Sequence, residues 1–147
     1  MSASITVNDR LVVEFLTELG KKVGDLRGLM DSIGQEMETR VANRFESQTD
    51  PSGAPWIQWA DATIANYPDD GNGTILDRYG DMLASLSHQA DDSSVTWGFA
   101  TPYAAYHEFG TKRMPRRGML TEDPDAGTLS ADDQAAVLGI IEVYLDL

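Results

Sequence analysis

The sequence predicts an α+β fold: long N-terminal helices and a C-terminal helix pack on a small antiparallel β-sheet, with a long tryptophan-containing loop. Three observations predict it. Apolar residues recur every three or four positions from Leu26 to Phe45 and from Val137 to Leu145, the period of a helix with a buried face. Leu86, His88 and Ala90, then Val95, Trp97 and Phe99, follow the period of a strand on either side of the turn residues Asp91-Asp92-Ser93. Both periods vanish between residues 48 and 74, where Pro51, Pro55, Pro68 and several glycines accumulate. A chain of 147 residues suits a single domain, 1–147, with one core.

Taken in order, Asn8 is expected to cap a first helix whose stripe is Leu11, Val12, Phe15, Leu16 and Leu19, with Gly20 near its end. A second helix begins near Asp25 and buries Leu26, Met30, Ile33, Met37, Val41 and Phe45. At about 1.5 Å per residue it would be about 35 Å long. Gly28 and Gly34 weaken it by up to about 1 kcal/mol each relative to alanine. In the loop that follows, Trp56 and Trp59 read as anchors, or as a partner surface. A short helix from Ile75 carries Leu76, Tyr79, Met82 and Leu83. The hairpin turns Val95, Trp97 and Phe99 inward, with Ile141 and Tyr144 of the last helix as partners. Pro102 starts a helical turn through "YAAYHEF", which Gly110 ends. Ser130 caps the last helix and Asp133 completes a capping-box-like pair, with Val137, Ile140, Ile141, Tyr144 and Leu145 buried.

Charge narrows the function classes. The formal net charge is −13, which argues against sequence-independent adhesion to DNA, because phosphate binding rests on cationic side chains. Residues 121 to 147 hold seven acids and no Lys or Arg. Directly before them stand Lys112, Arg113, Arg116 and Arg117, four of the 11 basic residues, on a segment poor in apolar residues. All four are expected at the surface, either as an interaction loop for an acidic partner or as a solvated face. The chain has no cysteine, which removes disulfides and thiolate chemistry. Neither a leader-like N-terminus nor an apolar run near roughly 18 residues is present, so a soluble, intracellular protein is expected, without a membrane.

The "HEFGT" stretch begins like the zinc motif H-E-x-x-H, but its second histidine would stand at position 111, where the sequence has Thr111. His107 therefore reads as a packed residue whose ring nitrogens bond nearby backbone. Neither a G-x-S-x-G elbow nor a G-x-x-x-x-G-K-[ST] loop occurs. No metal, cofactor or enzymatic activity is expected.

Several short motifs nevertheless share one pattern. Asp50, Pro51, Gly53 and Trp56 fit D-P-x-G-x-x-W, with Thr63 downstream. Gly80 and Ser85 fit T-G-x-L-x-x-S, with Tyr79 and Met82 departing from it. Val95 and Gly98 fit a V-x-x-G strand, and Tyr103, Ala104, His107, Phe109 and Gly110 fit Y-A-x-x-H-x-F-G. Pro115, Arg117 and Leu120 fit P-A-R-P-F-L, while Arg116, Gly118 and Met119 replace its alanine, proline and phenylalanine. In order and spacing, from about residue 45 onward, the chain resembles the phage virion morphogenesis family, the tail-completion proteins like G of phage Mu.

The resemblance implies a structural protein of a tailed phage or prophage. It would finish the tail or join it to the head, as a ring around the DNA channel. Its partners would be itself and other tail or head-tail connector proteins, and its place the virion, after assembly in the host cytoplasm. An acidic chain suits a lumen that passes DNA without gripping it. A ring needs two unlike faces on each subunit, for which a basic loop and an acidic helix would serve. In this reading "YAAYHEFG", with Tyr103, His107, Phe109 and Gly110, is scaffold presenting the basic loop. The rival class is a small nucleic-acid-binding or DNA-mimicking regulator, and an enzyme ranks third.

Overall fold

The computed structural model describes residues 9–23 and 25–145. Along them run α1 (Arg10–Val23), α2 (Arg27–Ser47), α3 (Asp61–Ala65), α4 (Asp81–Ala84), β1 (Leu86–Ala90), β2 (Val95–Phe99), α5 (Ala104–Phe109) and α6 (Ala131–Leu145). The α+β architecture is as expected, and α2 is its axis. Both strands and α6 pack on α2, and α1 packs on α6. Leu26, Met30, Ile33, Met37, Val41 and Phe45 are all buried, as their spacing predicts, and Leu29 is buried beside them. A helix enclosed on two sides needs this wider apolar face.

The helix ends follow local chemistry, with differences from the expected caps. Asp9 caps α1: its carboxylate accepts the Val12 N–H at 3.3 Å and its carbonyl the Val13 N–H at 2.9 Å. The expected Asn8 cap and the side chains of Phe15 and Leu19 lie outside the described residues, and α1 runs through Gly20 to Val23. Val12 is buried, but Leu11, expected on the same stripe, is 67% exposed. The Asp25 carboxylate accepts the Arg27 N–H at 2.9 Å where α2 begins. The helix expected from Ile75 shortens to α4. Leu76 (φ 62°) and Gly80 (φ 82°) take left-handed backbone there, which a helix cannot continue through.

Ser130 caps α6 as expected, its hydroxyl accepting the Asp133 N–H at 3.2 Å. Asp133 does not complete a capping box. Its fully buried carboxylate takes Arg44 Nη2 at 2.5 and 2.6 Å and Arg40 Nε at 2.8 Å, joining α6 to α2. Arg44 also donates to the Met119 carbonyl at 2.8 Å. Val137 and Ile141 fill the core, whereas Tyr144 is 46% exposed with its hydroxyl over Gly28. The hairpin therefore packs on α2 itself rather than on Tyr144.

The hairpin has the expected strands, with Leu86 opposite Phe99 and His88 opposite Trp97. Trp97 and Phe99 are buried, and Phe99 meets Phe45 edge-on at 5.8 Å. His88 clasps the sheet to α2. Its ring lies against Gly34, where a Cβ would collide with it, so this helix-weakening glycine is required by close packing. The ring nitrogens bond Asp31, at 2.8 Å, and Glu38. Burial alone would lower the His88 pKa, but these two carboxylates outweigh it and raise the pKa above the usual 6.5. A raised folded-state pKa stabilises the fold fully below the unfolded value and is lost as pH rises through the folded one. Thermal melts between pH 5 and 9 should therefore show a loss of stability above about pH 6.5. In His88→Gln that loss should be absent; an unchanged profile would show that His88 stays neutral.

Candidate functional site

Helix α5 is built from the Y-A-x-x-H-x-F-G motif and ends at Gly110 (φ 74°), where an added Cβ would lie 3.0 Å from the Arg116 nitrogen. Only glycine allows this return of the chain. The Arg117 N–H then donates to the His107 carbonyl at 2.8 Å. Glu108, fully buried, faces the returning strand of chain. Its carboxylate accepts the N–H groups of Met119 (2.6 Å), Leu120 (3.1 Å) and Thr121 (2.8 Å), and the Thr121 hydroxyl (2.5 Å). The glutamate that resembled part of a zinc motif is thus an internal cap for residues 119 to 121.

Two of the three departures from P-A-R-P-F-L, Arg116 and Gly118, explain one another. Arg116 bends over Gly118 and donates to the Glu108 carbonyl (2.7 Å) and the Thr121 carbonyl (2.5 Å). A side chain at 118 would meet the Arg116 guanidinium, so an arginine at 116 calls for glycine at 118.

Arg117 ties this loop to the tryptophan loop, donating to the carbonyls of Ile57 (2.7 Å) and Gln58 (2.9 Å). Trp56 answers with its indole N–H to the Gly118 carbonyl at 2.8 Å, and its ring meets Phe45 edge-on at 5.5 Å. At 3% exposure Trp56 is an anchor, with no ring face left for a partner. The expectation of four surface cations is corrected for two. Arg117 is 9% exposed and Arg116 half-buried, because the loop's own carbonyls need their donors; Lys112 and Arg113 are exposed. Arg117→Glu would set a carboxylate against two carbonyl oxygens and should cost about 2–4 kcal/mol. Arg113→Glu should stay within about 0.5 kcal/mol. Urea melts of the two variants check the contrast, and equal losses would overturn the placement.

Between these loops lies a groove of about 810 Å³, walled by Trp59, Tyr67, Tyr79, Tyr103, His107 and Met114. Trp59, half-buried, stacks on Tyr67 at 4.8 Å, and the Arg78 guanidinium lies over the same tyrosine at 5.5 Å. Motif residues from separate stretches, Thr63, Gly80, His107, Pro115 and Arg117, converge on this groove. His107 is half-buried with Tyr103 edge-on to it at 6.5 Å, while Tyr103 and Phe109 themselves keep exposed faces. Its Nδ1 is buried without a hydrogen-bond partner, so the expected bonds from ring nitrogens to backbone are not made; the His107 carbonyl is the group engaged. Burial first, then the charge of Arg117, pushes the His107 pKa below 6.5, so the ring is neutral at neutral pH. Among the described residues no three His, Asp or Glu side chains gather as a metal site requires.

Glu108 and the Arg44–Asp133 pair escaped the sequence reading. Glu108 occupies a variable position of its motif, and nothing local announces partners 11 to 13 residues away. The convergence of motifs on one groove had a signal, since those motifs are what the resemblance rests on.

Comparison with known proteins agrees with that signal. The sequence pattern of the phage virion morphogenesis family matches residues 7–146. The putative capsid assembly protein G of Escherichia phage Mu is 28% identical over 113 residues, 75% of this chain and 72% of that protein. The Mu-like prophage FluMu G protein 2 of Haemophilus influenzae is 27% identical over 140 residues, 95% of this chain and 93% of the relative. No solved structure matches the chain. A match over nearly the whole length, with the motif residues gathered on one groove, has one reading: the chain belongs to the phage virion morphogenesis family.

Proposed function

We propose that this protein is a structural subunit of a tailed-phage or prophage particle, acting late in assembly to complete the tail or join it to the head. It works as one member of a ring at the head-tail junction, contacting its own copies and neighbouring tail or connector proteins. The observation that carries this reading is the family match from residue 7 to residue 146, together with the capsid-assembly role in the name of the phage Mu relative. Physical chemistry supports it. A net charge of −13 suits a lumen through which DNA slides. The role is non-catalytic: the glutamate beside His107 has its oxygens engaged by the loop it holds. The nucleic-acid-binding rival loses support, because Arg116 and Arg117 are committed internally and leave Lys112 and Arg113 as the loop's exposed cations.

Electron microscopy of particles assembled without this protein tests the reading. Filled heads lying beside free tails are expected if it joins the two, and tails of irregular length if it ends tail growth. Normal, infectious particles would overturn it.

A further inference from the structure

The groove and the far end of α6 are unlike faces on opposite ends of the molecule. The groove sits at the C-terminal end of α2: the Trp56 N–H bonds the Gln48 carbonyl at 2.8 Å, and the Ile75 N–H bonds the Gln48 side chain at 3.4 Å. The end of α6 sits at the other end of α2, with the Tyr144 hydroxyl over Gly28. Twenty helical residues, about 30 Å, separate Gly28 from Gln48. The two faces of one molecule therefore cannot meet.

Their chemistry matches. The groove has an aromatic wall, and its rim carries the exposed Arg78 and Arg113 with Asp77 and Asp81 beside Arg78. The last turn of α6 holds no basic residue, so the negative end of the helix dipole is uncompensated. That turn presents Glu142 and Tyr144 around Val143, which is 83% exposed, more than any other large apolar residue described. An apolar helix end flanked by a carboxylate and a tyrosine fits an aromatic groove that offers two arginines, Arg78 and Arg113, to receive the carboxylate.

We propose that the groove of one copy receives the C-terminal turn of α6, with Glu142, Val143 and Tyr144, from a second copy of this chain. The contact is heterologous, joining one end of a subunit to the opposite end of the next, and so propagates into a ring or a filament. It rests on the ring reading above and names the faces that make it.

Sedimentation and native mass spectrometry of the purified full-length chain test the contact over a concentration series. The wild type should form species larger than dimers. A rim variant, Arg78→Glu with Arg113→Glu, and a tip variant, Val143→Asp, should each raise the dissociation constant at least about tenfold while melting like the wild type. Mixed in equal amounts, the two should form a dimer that grows no further, because one intact groove then meets one intact α6 end. Wild-type-like assembly of either variant would overturn the contact while leaving a ring built through other faces. A mixture that stays monomeric would overturn it equally. A wild-type chain that stays monomeric throughout would remove the self-contact, and the particle micrographs would then judge the ring separately.

Discussion

Glu108→Ala should lower the unfolding free energy by about 3–5 kcal/mol, measured by urea denaturation. The carboxylate accepts three backbone N–H groups and a hydroxyl from Met119, Leu120 and Thr121, all of them buried. Each donor stripped of its acceptor without access to water costs about 1–3 kcal/mol. The Trp56 indole, bonded to Gly118, and Arg117, bonded to Ile57 and Gln58, would loosen with the loop, so the groove should be lost as well. Glu108→Gln should lose less, since its amide keeps one acceptor oxygen but turns a donor toward donors. A loss below about 1 kcal/mol for the alanine variant would show that water can reach the 119–121 backbone.

Asp133→Ala should be nearly as damaging, at about 3–5 kcal/mol, because it strands Arg44 in the core. Arg44 has 8% of its side chain exposed and Asp133 none, and their separations of 2.5 and 2.6 Å make a close two-point pair. Burying both ions has its own desolvation penalty, so the pair is not simply a source of stability. The double variant Arg44→Met with Asp133→Leu should therefore recover most of the loss. The remaining deficit would come from Arg40, which loses Asp133 in both backgrounds, and from the Met119 carbonyl, which loses Arg44 in the double variant. A double-mutant cycle measures the coupling. If the losses simply add, Arg44 and Asp133 do not act as a pair.

Elements with a strong period were legible along the chain. The α2 stripe, the two strands and the Ser130 cap depend on residues two to four apart, and local chemistry decided them. What failed was the assignment of polar side chains to partners. The position of Asp133 suits a local cap, but its carboxylate reaches Arg44, 89 residues away. Local backbone is within sequence reach of His107, yet its buried Nδ1 has no hydrogen-bond partner. Arg116 and Arg117 read as surface charge because their segment is poor in apolar residues. Arg117 is buried and Arg116 half-buried because the loop folds over carbonyls that would otherwise lack donors.

By itself, then, the sequence determined the α+β class, the long α2, the two strands of the hairpin and, through the order of its motifs, the family. Those features follow from periodicity and turn chemistry, both of which act over a few residues. Only the tertiary structure decided that Glu108 holds the loop, that two arginines are internal, and that the motif residues share one groove. A buried polar group must find its partner in space, and the chain brings such partners together from dozens of residues apart.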